Sequence, residues 1–267
     1  MASIDIETLF NRPGDYPNAT QFTTVAPHYD ALMRGVPYRR WAQYLHQILD
    51  RRKLTPRRIL DLACGTGNVA EILAGEGYEV VGADISAPMI EQAQKKAAKR
   101  GLKIEYVVQD AAELTLEGGP FDLCVSLFDS LNYVLDLGQL ERALHRVFAH
   151  LRPGGLLIFD INSAYALENN FFDQDNLNTD DKLRYIWRSV YYPETRLCRV
   201  FMRFFLRHRD GVDREFRETH VQFAYTEEEL RAMLSRVGFR NVDTHQAYTF
   251  RPSLQNSDRI FFLAERP

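Results

Sequence analysis

The strongest candidates for a ligand-binding site in the sequence surround one glycine-rich turn. Gly65-x-Gly67-x-x-Ala70 matches the loose dinucleotide fingerprint, in which bare glycines let a ligand approach the backbone at a helix N-terminus. Asp61 stands four residues before Gly65, inside the hydrophobic run that leads into the turn. Because a carboxylate there would repel a diphosphate, it favours a ligand that carries positive charge, such as an ammonium.

Two more carboxylates come at the ends of the next two predicted strands. Asp84 ends the run VVGAD, where a carboxylate can accept both hydroxyls of a ribose. Asp110 ends the run VVQD, where it or the adjacent backbone can meet an adenine amino group. Each acid could instead cap the following helix, but successive strand ends meet at the edge where open α/β sheets bind ligands. The pattern favours adenosine joined to a zwitterionic amino acid, without phosphate.

Positioning these acids requires a scaffold, and the chain predicts alternating strands and helices up to residue 161. The predicted order is strand 58–63, helix 67–75, strand 78–83, helix 87–100, strands 103–108 and 121–127, helix 137–151 and strand 155–161. A helix with apolar spacing at Trp41, Leu45, Ile48 and Leu49 precedes them. This alternation indicates crossover connections and a mostly parallel sheet covered by helices on both faces.

The alternation stops after residue 163. Residues 164–182 are polar and predict a loop with a short helix. Residues 183–225 hold three strand-like runs separated by the turns PET and RDGVD, which predict a three-stranded antiparallel insertion. A capping box of Thr226 and Glu229 then begins a helix that Gly238 ends, and strands 241–250 and 258–264 close the chain.

Composition and charge narrow the functional classes. The 267 residues are 45% hydrophobic with a net charge of -3, which provides a sizeable core and no general attraction to nucleic acid or anionic membranes. The three cysteines lack a C-x-x-C pair, and the seven histidines lack zinc-type spacing, so we expect neither disulfides nor a metal site. Residues 1–26 read as a loosely docked arm without signal-peptide character, and we expect a cytoplasmic protein.

Several motifs then resemble a known family. ILDLACGTG, GADIS, QDAAEL and LRPGGLLIFDINS resemble, in order, the motifs of class I S-adenosylmethionine-dependent methyltransferases, over about residues 25–163. FDLCVSLFDSLNYV, YIW, THVQFAY and SDRIFFLAERP resemble a bacterial, small-molecule-type branch with a β insertion after the fifth strand. The resemblance implies a Rossmann-like α/β sheet of seven strands, mostly parallel, whose last strand runs antiparallel. It divides the chain into an arm (1–26), a core (27–163), an inserted β subdomain (164–225) and the C-terminal part of the core (226–267).

The same resemblance implies S-adenosylmethionine as the cofactor and assigns residues to its parts. Asp61, Ala63 and Gly65 would lie near the methionine, Asp84 and Ile85 on the ribose, Asp110 and Ala111 on the adenine, and Leu127 near the sulfonium, with Thr66, Gly67 and Met89 completing the set. Related glycine-methylating enzymes bind the methionine carboxylate with an N-terminal Tyr and Arg, for which Tyr29 and Arg34 are the candidates here.

The acceptor side is less constrained, because methyl transfer mainly needs alignment and exclusion of water. Asp129 and Tyr133 could orient an amine or a hydroxyl, or Asp129 could simply start a helix. His220 is the candidate general base if its strand face looks into the cleft, and a hydrogen-bonded structural histidine otherwise. We therefore predict methylation of N or O on a small polar molecule.

Three other functions remain open at this point. An NAD-dependent oxidoreductase would share the glycine pattern, and a non-catalytic S-adenosylmethionine sensor would share the cofactor site. An RNA methyltransferase would use the nine arginines between Arg184 and Arg217, but five acids in that segment favour cross-strand pairing instead. We expect a small-molecule substrate, no nucleic acid or membrane partner, and a homodimer contact through the insertion as another use of that surface.

Overall fold

Two β-sheets organise the computed structural model, which describes residues 21–178, 181–208 and 210–267. The strands are β1 (Arg58–Leu62), β2 (Glu79–Asp84), β3 (Glu105–Val108), β4 (Phe121–Ser126), β5 (Leu151–Asn162), β6 (Gln174–Asn176), β7 (Leu183–Tyr192), β8 (Leu197–Arg207), β9 (Asp213–Phe223), β10 (Arg240–Gln246) and β11 (Arg259–Glu265). The helices are α1 (Tyr29–Leu32), α2 (Tyr38–Arg52), α3 (Asn68–Gly75), α4 (Ala87–Arg100), α5 (Leu137–His150), α6 (Ala164–Glu168) and α7 (Glu227–Val237). Short 3₁₀ turns cover Ala26–His28, Ala111–Glu113 and Ser130–Tyr133.

The larger sheet has seven strands in the order β10-β11-β5-β4-β1-β2-β3. β1 to β5 run parallel, and β11 runs antiparallel to both of its neighbours, β5 and β10. This confirms the Rossmann-like fold with its antiparallel last strand. The carboxyl ends of β1, β2, β3 and β4 therefore meet at one edge, which is where the acids identified in the sequence lie.

Apolar residues cover both faces of this sheet because side chains alternate along each strand. On β1, Leu60 packs in a core layer with α5 and α7, and Ile59 packs in the opposite layer with α2, α3 and α4. Trp41, Leu45, Ile48 and Leu49 of α2 are all buried in that second layer, as their spacing predicts. α7 begins with the predicted capping box, in which Thr226 Oγ1 accepts from the Glu229 N–H.

The inserted sheet has four antiparallel strands, in the order β6-β7-β8-β9. β7, β8 and β9 are the three strands predicted within residues 183–225, whereas β6 lies where the sequence predicts a loop. β6 contains only Gln, Asp and Asn, and it has no apolar alternation by which a strand could be recognised. Val200, Met202 and Phe204 of β8 are buried on one face of this sheet. Their layer includes Met89 of α4 and thereby fixes the insertion against the core at the carboxyl edge.

Several predicted boundaries shift for identifiable reasons. α3 begins at Asn68, since Gly67 has the left-handed φ of +78° and serves as its N-cap. β5 extends back to Leu151, so helix 137–151 ends one residue earlier than predicted. β10 ends at Gln246, because the chain turns through Tyr248, whose φ is +54°. In the ranges described, no helix is long and apolar enough to cross a membrane.

Candidate active site

A cavity of about 1310 Å³ lies between the seven-stranded sheet and the inserted sheet. The loops after β1, β2, β3 and β4 line one side of it. β8, β9, α1 and residues 21–25, here called the N-terminal segment, line the other side. The cavity therefore joins the acid-rich edge of the core to the side chains of the insertion.

The two glycines of the turn after β1 have different structural roles. Gly65 has a φ of +56°, and a Cβ placed on it would meet no protein atom within 4 Å. A Cβ on Gly67, whose φ is +78°, would lie 2.2 Å from the hydroxyl of Tyr106. Gly65 therefore leaves open space at the cavity wall, whereas Gly67 permits close packing and does not line the cavity.

Asp61 places a buried carboxylate on the cavity wall. Its side chain is only 3% exposed, and Oδ2 has no hydrogen-bond partner, although the backbone N–H of Ala70 donates to the carboxylate. Burial raises the pKa of Asp61 from its ordinary 3.8 to about 7, and nearby Asp84 adds to the rise. An unpartnered buried carboxylate suits a cationic group in the cavity and opposes a diphosphate.

Asp84 ties the glycine turn to the next loop. Its Oδ2 accepts from the Gly65 N–H at 2.8 Å and its Oδ1 accepts from the Ser86 N–H at 2.8 Å. Burial raises the pKa of Asp84, while these two backbone bonds lower it. Ile85 follows with 69% of its surface exposed, which is unusual for a large apolar side chain, and it lines the cavity. Together they offer acceptors for hydroxyls and an apolar surface for a flat ring.

Asp110 forms the next part of the same wall. Its Oδ1 accepts from the Ala112 N–H at 2.8 Å, and its Oδ2 accepts from Gln139 Nε2 at 3.0 Å. The backbone of Ala111 lies beside it, and both residues line the cavity. The carboxylate therefore caps the 3₁₀ turn as well as facing the cavity, so the structural and the binding interpretations of this acid both apply.

Two tyrosines from the N-terminal part of the chain enclose the glycine turn. Tyr29 and Tyr38 both line the cavity, and the Tyr38 side chain lies close to those of Tyr29 and Asn68. Burial raises the pKa of Tyr38 to about 12 and that of Tyr29 well above its ordinary 10.0, so both phenols stay neutral donors. Arg34 is exposed and lies outside the cavity, so the structure does not bring it to the site.

On the insertion side, Tyr133, His220 and Glu218 form a chain of hydrogen bonds. The Tyr133 hydroxyl lies 3.2 Å from His220 Nδ1, and His220 Nε2 lies 2.8 Å from Glu218 Oε2. Because a carboxylate only accepts, Nε2 carries the hydrogen and Nδ1 of the neutral ring is free to accept from Tyr133. Burial raises the pKa of Glu218, but the hydrogen bonds from His220 and from the N–H groups of Val25 and Phe22 bring it below its ordinary 4.5. His220 is therefore held in the tautomer that a base needs.

Asp129 lines the cavity, but its carboxylate is already engaged. Its Oδ1 accepts from Arg259 at 2.7 Å and its Oδ2 accepts from Gln222 Nε2 at 2.6 Å. Arg259 also pairs with Asp160, whose Oδ1 accepts from the Phe128 N–H at 2.7 Å. Burial raises the pKa of Asp129, and Arg259 lowers it. These bonds favour the structural alternative, in which Asp129 shapes the loop after β4, and its role in orienting an acceptor stays a prediction.

Comparison with known proteins agrees with this geometry. Residues 59–155 match the model of a family described as a methyltransferase domain. A protein of Geobacillus sp. (strain WCH70) that is named a methyltransferase is 33% identical over 92% of this chain and 99% of its own. YqeM of Bacillus subtilis (strain 168), also named a methyltransferase, is 34% identical over 89% of this chain and 94% of its own.

A solved structure extends the match to the cofactor. An S-adenosylmethionine-dependent methyltransferase from Clostridium acetobutylicum superposes with a TM-score of 0.80 at 31% identity, covering 91% of this chain and 97% of that one. The chain belongs to the S-adenosylmethionine-dependent methyltransferases. Its cofactor is S-adenosylmethionine, a phosphate-free sulfonium cation, which agrees with the charge preference of Asp61.

The methyltransferase cavity brings together most of the residues predicted for cofactor and catalysis. Lining it are Tyr29, Asp61, Ala63, Gly65, Thr66, Asp84, Ile85, Met89, Asp110, Ala111, Leu127, Asp129, Tyr133 and His220. Arg34 and Gly67 do not line it, for the reasons given above. Within the described part of the methyltransferase, no group of three or more His, Cys, Asp or Glu side chains could hold a metal ion.

The cavity of this methyltransferase also contains residues that the sequence did not identify as site residues, among them Tyr38, Gln139, Glu218 and Arg259. Tyr38, Gln139 and Arg259 stand far from the acids in sequence, and only the fold brings them to the same wall. Glu218 did have a signal, because it lies two residues before His220 and therefore on the same face of one strand. Their shared face makes that pair recognisable once β9 is assigned.

Proposed function

We propose that this methyltransferase moves a methyl group to N or O of a small polar acceptor, which binds between Tyr133 and the inserted sheet. The observation that carries the proposal is the single cavity that runs from Asp61 and Asp84 to His220. Its volume of about 1310 Å³ exceeds the roughly 300–1,000 Å³ typical of a site for one drug-sized ligand, so cofactor and acceptor have room together.

The core side of the cavity would hold S-adenosylmethionine. Asp61 would pair with the ammonium, Asp84 would accept from the ribose hydroxyls, and Asp110 with Ala111 would receive the adenine. Neutral phenols of Tyr29 and Tyr38 replace Arg34 as donors for the methionine carboxylate. Leu127, Met89 and Ile85 supply apolar contacts on this side. When bound, the cofactor supplies a methyl group activated by a positively charged sulfur, so the protein itself must align the acceptor and exclude water.

Tyr133 would be the group that faces the acceptor. Its phenol oxygen can accept a proton from an ammonium or a hydroxyl while its own proton passes to His220 Nδ1. Burial raises the pKa of Tyr133, so the phenol remains neutral before and after this exchange. Glu218 would stabilise the resulting imidazolium. His220 thus acts through Tyr133 and not directly, because both of its ring nitrogens already have partners.

The arginines of the insertion favour a small molecule over RNA. Arg184 and Arg207 both pair with Asp213, and Arg203 pairs with Glu215 at 2.8 Å. RNA binding would need positive charge that is not compensated in this way. The open path to His220 also argues against a non-catalytic sensor, in which the insertion should block the cleft. A homodimer contact through the inserted sheet stays a prediction.

The test is transfer of a labelled methyl group from S-adenosylmethionine to pools of small amines and alcohols. Tyr133→Phe and His220→Ala should each lower kcat roughly 10²- to 10⁴-fold, as expected for loss of a general base. Affinity for S-adenosylhomocysteine should stay unchanged in both variants, and His150→Ala, at the far end of α5, serves as the control. Wild-type kcat in His220→Ala would remove the proton relay from the proposal.

A further inference from the structure

Glu218 accepts more hydrogen bonds than it would need in order to orient His220 alone. Its carboxylate is almost fully buried and accepts from His220 at 2.8 Å. It also accepts from three backbone N–H groups of the N-terminal segment: Phe22 at 3.1 Å, Thr24 at 2.6 Å and Val25 at 2.8 Å. One side chain of the inserted sheet therefore binds both the imidazole and the segment that covers the cavity.

The N-terminal segment is a wall of the cavity held in a strained form. Phe22 has a φ of +63°, a left-handed conformation that costs a non-glycine residue about 1 kcal/mol or more and persists only where its surroundings enforce it. The Phe22 ring stands 4.4 Å from that of His220 and 5.0 Å from that of Tyr133. Ser86 Oγ donates to the Phe22 carbonyl at 3.3 Å, next to Asp84. The segment therefore bridges the insertion and the cofactor side.

These contacts correct the expectation of a loosely docked arm for residues 21–25, whereas residues 1–20 of that arm lie outside the described residues. Gln21, Phe22, Thr23 and Val25 line the cavity, so movement of the segment would widen the cavity on this side. Such movement would break three N–H bonds to Glu218 and expose the carboxylate to water. The same movement would remove the Phe22 ring from the imidazole face.

We propose that Glu218 is a positioning residue that couples closure of the N-terminal segment to the orientation of His220. With the segment closed, both carboxylate oxygens are fixed by backbone donors, and Oε2 holds the Nε2–H of the imidazole. With the segment open, Glu218 is free to rotate and to bond water, so His220 loses its fixed tautomer. The catalytic consequence rests on the proposed function, because it requires His220 to be the base; the coupling itself does not.

Three variants separate coupling from general damage. Glu218→Gln keeps the size of the side chain but replaces one acceptor oxygen with a donor. Thr24→Pro removes one N–H donor to Glu218 without changing any side chain that touches His220. Glu215→Gln is the matched control, because Glu215 lies on the same strand but outside the cavity, and its partners are Arg203 and Arg217 rather than His220.

Two readouts are measured in the presence of S-adenosylhomocysteine and need no acceptor. Deuterium exchange at the amides of residues 22, 24 and 25 should be at least tenfold faster in Glu218→Gln than in the wild type. The ¹⁵N NMR signature of the Nε2–H tautomer of His220 should be present in the wild type and in Glu215→Gln. The signature should be lost or broadened in Glu218→Gln. It should also be lost or broadened in Thr24→Pro, although that substitution changes no side chain in contact with His220.

The outcomes distinguish this inference from the proposed function. A His220 signature that is unchanged in Thr24→Pro, while the amides of the segment exchange faster, would overturn the coupling. The coupling would also be wrong if exchange at these amides were the same in Glu218→Gln and the wild type. If the signature responds but His220→Ala keeps its full turnover, the coupling stands and the proton relay fails.

Discussion

Replacement of Asp61 by Asn should stabilise the ligand-free protein and weaken cofactor binding at the same time. Asn keeps an oxygen for the Ala70 N–H and replaces the unpartnered Oδ2 with a neutral amide. The two effects have opposite signs because the buried carboxylate destabilises the fold but attracts the cationic cofactor. A substitution that only disrupted the fold would lower both the free energy of unfolding and the affinity for the cofactor.

The magnitude follows from the pKa of Asp61, which burial raises from 3.8 to about 7. Because the folded state holds this proton more tightly than the unfolded state, stability contributed by the carboxyl is present below pH 4 and is lost as pH rises to about 7. Each unit of pKa shift corresponds to about 1.4 kcal/mol, so the loss of unfolding free energy at pH 8 is on the order of 4 kcal/mol. The buried amide of Asn costs about 1–3 kcal/mol, which leaves a net stabilisation of about 2 kcal/mol at pH 8.

Cofactor binding should respond in the opposite direction. Loss of a hydrogen bond to a charged group costs about 1.5–3 kcal/mol, or roughly 10- to 100-fold in Kd. In the wild type, affinity for S-adenosylmethionine should rise as pH increases towards 7 and then level off, with proton release on binding below that pH. The Asn variant should lack the step near pH 7, although Asp84, whose pKa burial also raises, still titrates.

Calorimetry with S-adenosylmethionine from pH 5.5 to 8.5, together with urea denaturation at pH 5 and pH 8, measures both effects. Asp110→Asn is the matched control, because it changes another cavity carboxylate whose oxygens already have partners. It should weaken binding while keeping the step near pH 7. If Asp61→Asn binds the cofactor as tightly as the wild type and shows the same pH dependence, the electrostatic reasoning about this site is refuted.

The other predictions concern the glycine turn and the buried ion pairs. Gly65→Ala should weaken binding of S-adenosylhomocysteine more than tenfold, since its Cβ would enter the cavity, and its strained φ should cost only about 1–2 kcal/mol of stability. Gly67→Ala should instead lower stability by roughly 2–5 kcal/mol, because overpacking against Tyr106 adds to the strain of its left-handed φ. Equal effects of the two changes on affinity, measured by calorimetry, would contradict this division. Arg259→Leu should destabilise the protein by about 3–5 kcal/mol in urea denaturation, because two buried carboxylates lose their cation. A loss below about 1 kcal/mol would mean that neither acid needs the pairing.

The sequence predicts the core and its acidic edge well, because strand and helix periodicities are local signals. Asp61 and Asp84 could be placed from the alternation alone, since successive parallel strands end at one edge. β6 could not be predicted, since three polar residues become a strand only by pairing with β7. The roles of Asp129 and Arg34 could not be predicted either, because they depend on contacts between residues distant in sequence. Asp129 binds Arg259, and Arg34 is exposed to solvent.

A crystal structure of the protein with S-adenosylhomocysteine would test the proposed cofactor site most directly. We predict that the amino group of the ligand lies against Asp61, that its ribose hydroxyls lie on Asp84, and that its sulfur faces Tyr133 across an open part of the cavity. A ligand bound away from the Gly65 turn, or one that fills the space in front of Tyr133, would contradict it.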